Sequence, residues 1–267
     1  MNDYPIRVGS MLFTMVDPEK GHEVEYNRWY ERDHFYAGCM IGPQLFAGKR
    51  WVATKELKDL RFPRGDTAMA APVEKGSYLA IYWVLEGKHD EHFQWARDQV
   101  VWLYANGRGF PNRHHAHTVL LEKPSSHYRD ADPVPIELAL DHPYKGLAVL
   151  TVDPAEGVSD EQLKAYLSET ALPALMNGSG VASLASWHYQ PTGSGDTDGA
   201  PMDLGVPAGP VERNVQLFFL DEEPTAVWDR FHAYADALAE SGMGTVTFAA
   251  PFLPTIVGTD TYTDQLW

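Results

Sequence analysis

The chain has 267 residues, with 21 Lys and Arg against 37 Asp and Glu, for a formal net charge of −16. Apolar residues make up 44% and charged residues 22%, a balance that excludes a disordered, collagen-like or membrane-spanning chain. The negative charge repels phosphate backbones and anionic lipid, so nucleic acid and membrane surfaces are excluded as partners.

No apolar run reaches the ~18 to 20 residues needed to span a bilayer, and residues 1–16 lack a signal-peptide cleavage pattern. The single Cys39 has no second thiol to pair with. These features read as a cytoplasmic protein of a reducing compartment. Charge and histidines divide unevenly at Pro143. The part up to it has net charge −3 and nine histidines; the rest has net charge −13 and only His188 and His232.

Hydrophobic periodicity gives one order of elements twice. A strand over 7–16 ends in Asp17-Pro18, and a helix over 23–39 carries Tyr26, Trp29, Tyr30 and His34 at spacings of three and four. Strands over 45–53 and 77–85 follow, separated by a long polar loop. A helix over 90–105 and a strand over 113–121 complete a βαββαβ unit. The second pass runs through a strand over 146–152, ending in Asp153-Pro154, and a helix that Ser159 and Gln162 open as a capping box. A strand over 181–189, a Gly/Pro-rich loop over 191–211, a strand over 214–220, a helix over 225–240 and a last strand within 245–257 finish it. The predicted organisation is a first repeat over 1–123, a linker over 124–143 and a second repeat over 144–267. Each repeat leaves one apolar sheet face bare. The predicted fold class is therefore α+β, with two tandem βαββαβ ferredoxin-like units closing on each other within one chain as an α+β barrel.

The segment Asn27-Arg28-Trp29-Tyr30-Glu31-Arg32-Asp33-His34 resembles the N-x-W-Y-x-x-x-H pattern of EthD-like proteins in the dimeric α+β barrel superfamily. The resemblance implies two ferredoxin-like units forming a barrel with helices outside. It also implies a membership that ranges from cofactor-free monooxygenases, cyclases and isomerases to haem-binding enzymes and proteins without known chemistry. The second repeat places Ala171 where His34 stands, so a function of that histidine belongs to the first half.

His34 is the first candidate catalytic group, because an imidazole near pKa 6.5 both takes and gives protons. Tyr30 is expected beside it as a hydrogen-bond donor to a developing enolate or phenolate, with Tyr26 and Trp29 as substrate contacts. The rival reading of His34 is a structural hydrogen bond at a helix end. Asp33 is expected to pair with Arg28 or Arg32. In the run Arg113-His114-His115-Ala116-His117, strand alternation puts His115 and His117 on one face, and both are candidate substrate contacts; Ala250 and Phe252 stand in their places in the second repeat. His89 and His92 lack a metal-ligand spacing, so no metal is expected. Cys39 is expected to be a buried structural thiol, and the loop over 192–199 a candidate lid.

The resulting expectation is an aromatic-lined pocket enclosed by the barrel that binds a small hydrophobic or aromatic molecule. Its activity would be cofactor-independent proton transfer: a cyclase, dehydratase or isomerase acting on an aromatic or polyketide-like substrate. The alternatives are a non-catalytic ligand-binding or stress-related barrel and a haem-binding enzyme with His34, His117 or His188 as axial ligand. Outer helices leave homo-oligomer formation open.

Overall fold

The computed structural model describes residues 5–190 and 200–267; the candidate lid over 192–199 lies outside the described residues. The first half supplies β1 (Val8–Pro18), β2 (Leu45–Val52), β3 (Tyr78–Leu85) and β4 (Arg113–Tyr128). The second supplies β5 (Gly146–Pro154), β6 (Val181–Tyr189), β7 (Asn214–Leu220) and β8 (Gly244–Pro254). All neighbouring strands pair antiparallel in a closed barrel of order β1-β3-β2-β8-β5-β7-β6-β4. Closure leaves no free sheet edge. No helix among the described residues is long and apolar enough to cross a membrane.

The first helix begins as α1 (Glu23–Trp29) and continues as a π-helix over Tyr30–Met40. A short α2 (Lys55–Asp59), capped by Thr54, lies in the loop after β2, and α3 (His89–Ala105) precedes β4. In the second half α4 (Asp160–Tyr166) starts at the expected capping box of Ser159 and Gln162. It passes through a π-helical turn over Leu167–Ala171 into α5 (Leu172–Met176), and α6 (Pro224–Glu240) precedes β8. The helix changes to the wider π turn at Tyr30 in one half and Leu167 in the other.

The enclosed pocket is not where the sequence reading put it. One face of every strand points into the barrel, and its residues, among them Met11, Phe13, Trp51, Ile81, Trp83, Trp187, Leu217, Phe219 and Phe252, are fully or nearly fully buried in a single cluster. Large aromatic side chains meet across it, with the Trp83 and Trp187 rings 5.2 Å apart. Three tryptophans and several phenylalanines at such spacings fill an eight-stranded barrel, which has just enough interior for side chains. Room for a ligand has to come from elsewhere.

It comes from the layer between the sheet's outer face and the helices. In the second half that layer is solid: Leu150, Leu167, Leu175, Phe218, Trp228 and Phe231 pack together, and Leu60 and Phe62 of the first half's long loop press in from the side. Phe62 stacks on His232 at 4.3 Å and bridges Ala249, while Trp228 Nε1 donates to the Leu60 carbonyl at 2.8 Å. In the first half the same layer is divided into two smaller apolar clusters, and a cleft opens in it.

Candidate functional site

Three elements and one crossing segment build the cleft. Its floor is the outer face of β1 and β4, with Leu12, Thr14, Thr118 and Leu120; the π-helix contributes Tyr30, His34 and Gly38, and α3 contributes Phe93 and Val100. The segment 200–204 of the second half forms the remaining wall. It is held to β4 by Thr118 N–H donating to the Leu204 carbonyl at 3.0 Å and Val206 N–H donating to Ala116 at 2.9 Å. The cavity has about 140 Å³ within a cleft whose empty space, open mouth included, is about 860 Å³. An adjoining hollow of about 360 Å³ shares Arg113, His115, Pro201 and Met202 with it. The cavity's size is that of ~150 Å³ apolar cavities known to take one aromatic ring.

His34 is 9% exposed. Its ring stacks on the Trp29 indole at 4.6 Å and 16°, with the Tyr30 ring edge-on at 5.2 Å. A Cβ on Gly38 would lie 2.8 Å from His34 Nδ1 and Cε1, so the glycine makes room for the imidazole. Burial holds the His34 pKa well below 6.5, and the charges of Arg113, His115 and Arg50 add to this. The ring is therefore neutral at physiological pH, a hydrogen-bond acceptor whose proton affinity is lower than that of a free imidazole.

Around it, the N-x-W-Y residues do structural work. The Asn27 amide donates to the Thr259 carbonyl at 2.8 Å and its oxygen accepts from Arg50 at 2.9 Å. Trp29 Nε1 donates to Arg108 O at 2.9 Å. The Tyr30 and Tyr82 hydroxyls share a hydrogen bond at 2.8 Å, and burial raises the Tyr30 pKa. Tyr26 stands behind Tyr30, their rings 5.8 Å apart, and does not line the cleft. Asp33 pairs with Arg108, not with Arg28 or Arg32. Its neighbour Arg28 reaches Asp260 of the C-terminal segment instead. Cys39 lines the cleft as a buried thiol whose pKa burial pushes up to about 12.

The two strand histidines separate. In the β1–β4 ladder Met15 faces His117 but Val16 faces His115, so two residues of β4 oppose one step of β1. This β-bulge cancels the expected alternation. His115 points with Val16 to the helix side and into the cleft. His117 points with Met15 into the barrel. Its Nδ1–H donates to the Val206 carbonyl at 2.6 Å and its Nε2 accepts from the Tyr189 hydroxyl at 2.9 Å. His115 Nδ1 bonds the Thr118 hydroxyl at 2.6 Å, which in turn bonds that of Thr14 at 2.7 Å. His115 Nε2 is buried and without a hydrogen-bond partner among the described residues. Burial and the neighbouring Arg113 lower the His115 pKa to about 3. His188 donates to the Val211 carbonyl at 2.9 Å, away from the cleft.

Arg113, Arg97, the Thr14–Thr118 pair and the segment 200–204 are cleft features that sequence reasoning did not single out; Cys39, expected as a buried thiol, was not expected in a cleft. The ladders also correct the pairing of the halves along the last strand. Val152 faces Val246 and Thr151 faces Phe248 just as Val16 faces His115 and Met15 faces His117. The counterparts of His115 and His117 are therefore Val246 and Phe248, not Ala250 and Phe252. By the same registers Leu150, Ala249 and Gly244 stand where Thr14, Thr118 and Arg113 do. Among the described residues no group of three His, Cys, Asp or Glu is placed to hold a metal ion.

No protein-family model matches the sequence, and no curated protein matches it. Solved structures do match in fold. An anthrone oxidase-like protein aligns at TM-score 0.54 and 8% identity, over 96% of this chain and 98% of its own. A protein assigned as a chlorite dismutase aligns at TM-score 0.54 and 11% identity, over 97% and 98%. A DypB variant from Rhodococcus jostii RHA1 in complex with heme aligns at TM-score 0.53 and 11% identity, over 97% and 95%. The chain shares the α+β barrel fold of these structures. The expectation that no cofactor takes part is corrected here: a haem complex stands among the structures that share the fold, so the fold gives no ground for excluding haem.

Proposed function

We propose that the protein is a small-molecule enzyme, built as two tandem barrel halves of which only the first keeps a working cleft. His34 is its proton acceptor, and its substrate is planar and aromatic. The observation that carries this reading is the one-sided polarity. Thr14, Tyr30, His34, Arg113, His115 and Thr118 surround the first cleft, while Leu150, Leu167, Ala171, Gly244, Val246 and Ala249 stand at the matching places in a solid second layer. A core needs no imidazoles or guanidinium, and keeping them buried costs stability unless they are hydrogen-bonded, paired or serve a ligand. His34 makes no hydrogen bond to another described residue, which removes the structural role that would otherwise explain it. Removing a proton from an aromatic alcohol or an activated C–H leaves an electron-rich anion. That anion is also the species most easily oxidised, which agrees with the oxidative activities named for the proteins of this fold. A lyase or isomerase outcome has no such support.

Haem is the second reading, favoured by the buried, unpartnered Nε2 of His115. The donor set fits: an imidazole nitrogen for the iron, Arg113 for a carboxylate, and walls of Leu12, Phe93, Val100 and Leu120 for the macrocycle, which would extend from the 140 Å³ cavity into the open cleft. Bound there, haem would supply redox chemistry at its iron; His34 would hold or move a proton and the apolar wall would exclude water.

His34→Ala tests the main reading. Turnover or ligand affinity falls at least ~100-fold, the lower end for a positioned acid or base, with the melting temperature little changed, whereas Ala171→His leaves activity intact. Equal loss of stability and function would return His34 to a structural role. A Soret band on haemin addition that His115→Ala abolishes would establish the second reading.

A further inference from the structure

We infer that the ligand of this cleft carries a carboxylate on its aromatic body and that Arg113 binds it; the inference rests on the cleft being a binding site. Arg113 is 8% exposed. Other buried or half-buried guanidiniums have an ion pair or several carbonyl bonds, although Arg50 Nη2 and Arg61 Nε find no partner among the described residues. Arg50 lies 3.3 Å from the Glu31 carboxylate, Arg213 lies 2.5 Å from Asp153, and Arg61 donates to the carbonyls of Val73, Lys75 and Gly76 at 2.6–3.0 Å. Arg113 is paired with no carboxylate among the described residues. Its contacts are a hydrogen bond from Nη2 to the Tyr104 hydroxyl at 2.8 Å and the face of Trp29, 4.6 Å from its central carbon. Its Nε–H is buried with no partner among the described residues.

A guanidinium taken out of water without a counter-ion is costly, and a chain of net charge −16 has acids to spare. None of the described acids lines the cavity, and Asp203, in the outer hollow, accepts the Gly205 N–H on Oδ1 at 2.9 Å and forms no ion pair with Arg113. The second unpartnered polar atom of the cleft, His115 Nε2, belongs to a residue that lines the cavity and the hollow together with Arg113. The charge therefore waits at the seam between an apolar cavity of one-ring size and its mouth. An aromatic ring among Leu12, Phe93 and Leu120 with its carboxylate at Arg113 satisfies both. Guanidinium and carboxylate match in planar, bidentate geometry.

Titration calorimetry of the full chain with benzoate and with its neutral analogue benzyl alcohol tests this. The wild type should bind benzoate at least tenfold more tightly than the alcohol. Arg113→Gln should erase that preference while alcohol binding persists, and Arg113→Lys should keep part of it. Equal binding of both probes by the wild type overturns the anion site and leaves the cleft standing, whereas binding of neither overturns both. If Arg113→Gln does not fold, as read by circular dichroism, the wild-type ratio and Arg113→Lys decide. Haemin, whose propionates offer the same chemistry, is then added to the benzoate complex. Displacement with a Soret band assigns the carboxylate to a cofactor, and no displacement assigns it to a substrate; the anion site holds in either case.

Discussion

The histidines of the first half are kept neutral by their surroundings, and this makes the protein sensitive to acid. Burial lowers His117 and His92 to about 4 and His115 to about 3. In the unfolded chain each returns to ~6.5. The unfolded state therefore binds more protons between those values, so the stabilisation is complete above pH ~6.5 and is lost as pH falls toward 4. His117 is the most exacting of the three, because its neutral tautomer both donates to Val206 and accepts from Tyr189. A second proton would leave the Tyr189 hydroxyl facing an N–H. The melting temperature should fall steadily from pH 7 to pH 5, a range in which most carboxylates stay ionised. His117→Gln should start lower at pH 7 and fall less steeply. A melting curve that is flat or rises on acidification over that range would contradict the argument.

At the level of elements, the order of strands and helices was legible in the sequence because period-2 and period-3.6 patterns report directly which face is buried. The runs that became β5, β6 and β7 are nearly all apolar and bounded by turn residues, and the Ser159 capping box needs only local chemistry. Three features had no such signal. The bulge at Ala116 adds one residue to a ladder without changing composition, so His115 and His117 were read onto one face. The passage of α1 into a π-helix leaves the apolar spacing of Tyr26, Tyr30 and His34 intact. The filling of the second layer by Phe62 is a contact between residues 170 apart in the case of His232, which no window sees. The π-helix makes its own prediction. Gly38→Ala places a methyl group 2.8 Å from two atoms of the His34 ring, and the imidazole, stacked on Trp29, has to leave its position. Activity or ligand affinity should drop at least ~10-fold, while stability changes by less than about 1 kcal/mol because alanine is otherwise the better helix former. Unchanged affinity in a folded Gly38→Ala protein would show that the position of His34 is not important.

At the scale of the whole molecule, the barrel ties the two halves together by unequal seams. β4 and β6 pair over six positions, from Leu121 with Tyr189 to Tyr128 with Ser183, whereas β2 and β8 meet only at Trp51 with Pro254 and Val52 with Leu253. Backbone pairing alone would leave the second seam weak, and the shared interior compensates: Trp51 reaches Phe219 at 6.4 Å and Trp83 reaches Trp187 at 5.2 Å. Residues 1–130 expressed alone would expose the inner face of four strands, with Met11, Phe13, Trp51, Ile81 and Trp83, along with two bare edges. They would also lose the 200–204 wall of their own cleft. This fragment should be insoluble or should associate with itself, and co-expression with residues 131–267 should restore a soluble complex that binds ligand. The same reasoning fixes where the barrel opens first. Backbone amides of β2 near Val52 should exchange with solvent faster than those of β4 near Leu121 in native-state hydrogen exchange, because two paired positions oppose opening there and six oppose it at the other seam. A soluble, monomeric and cooperatively unfolding 1–130 fragment would show that the interior is not what joins the halves, and equal protection at the two seams would remove β2–β8 as the point of opening.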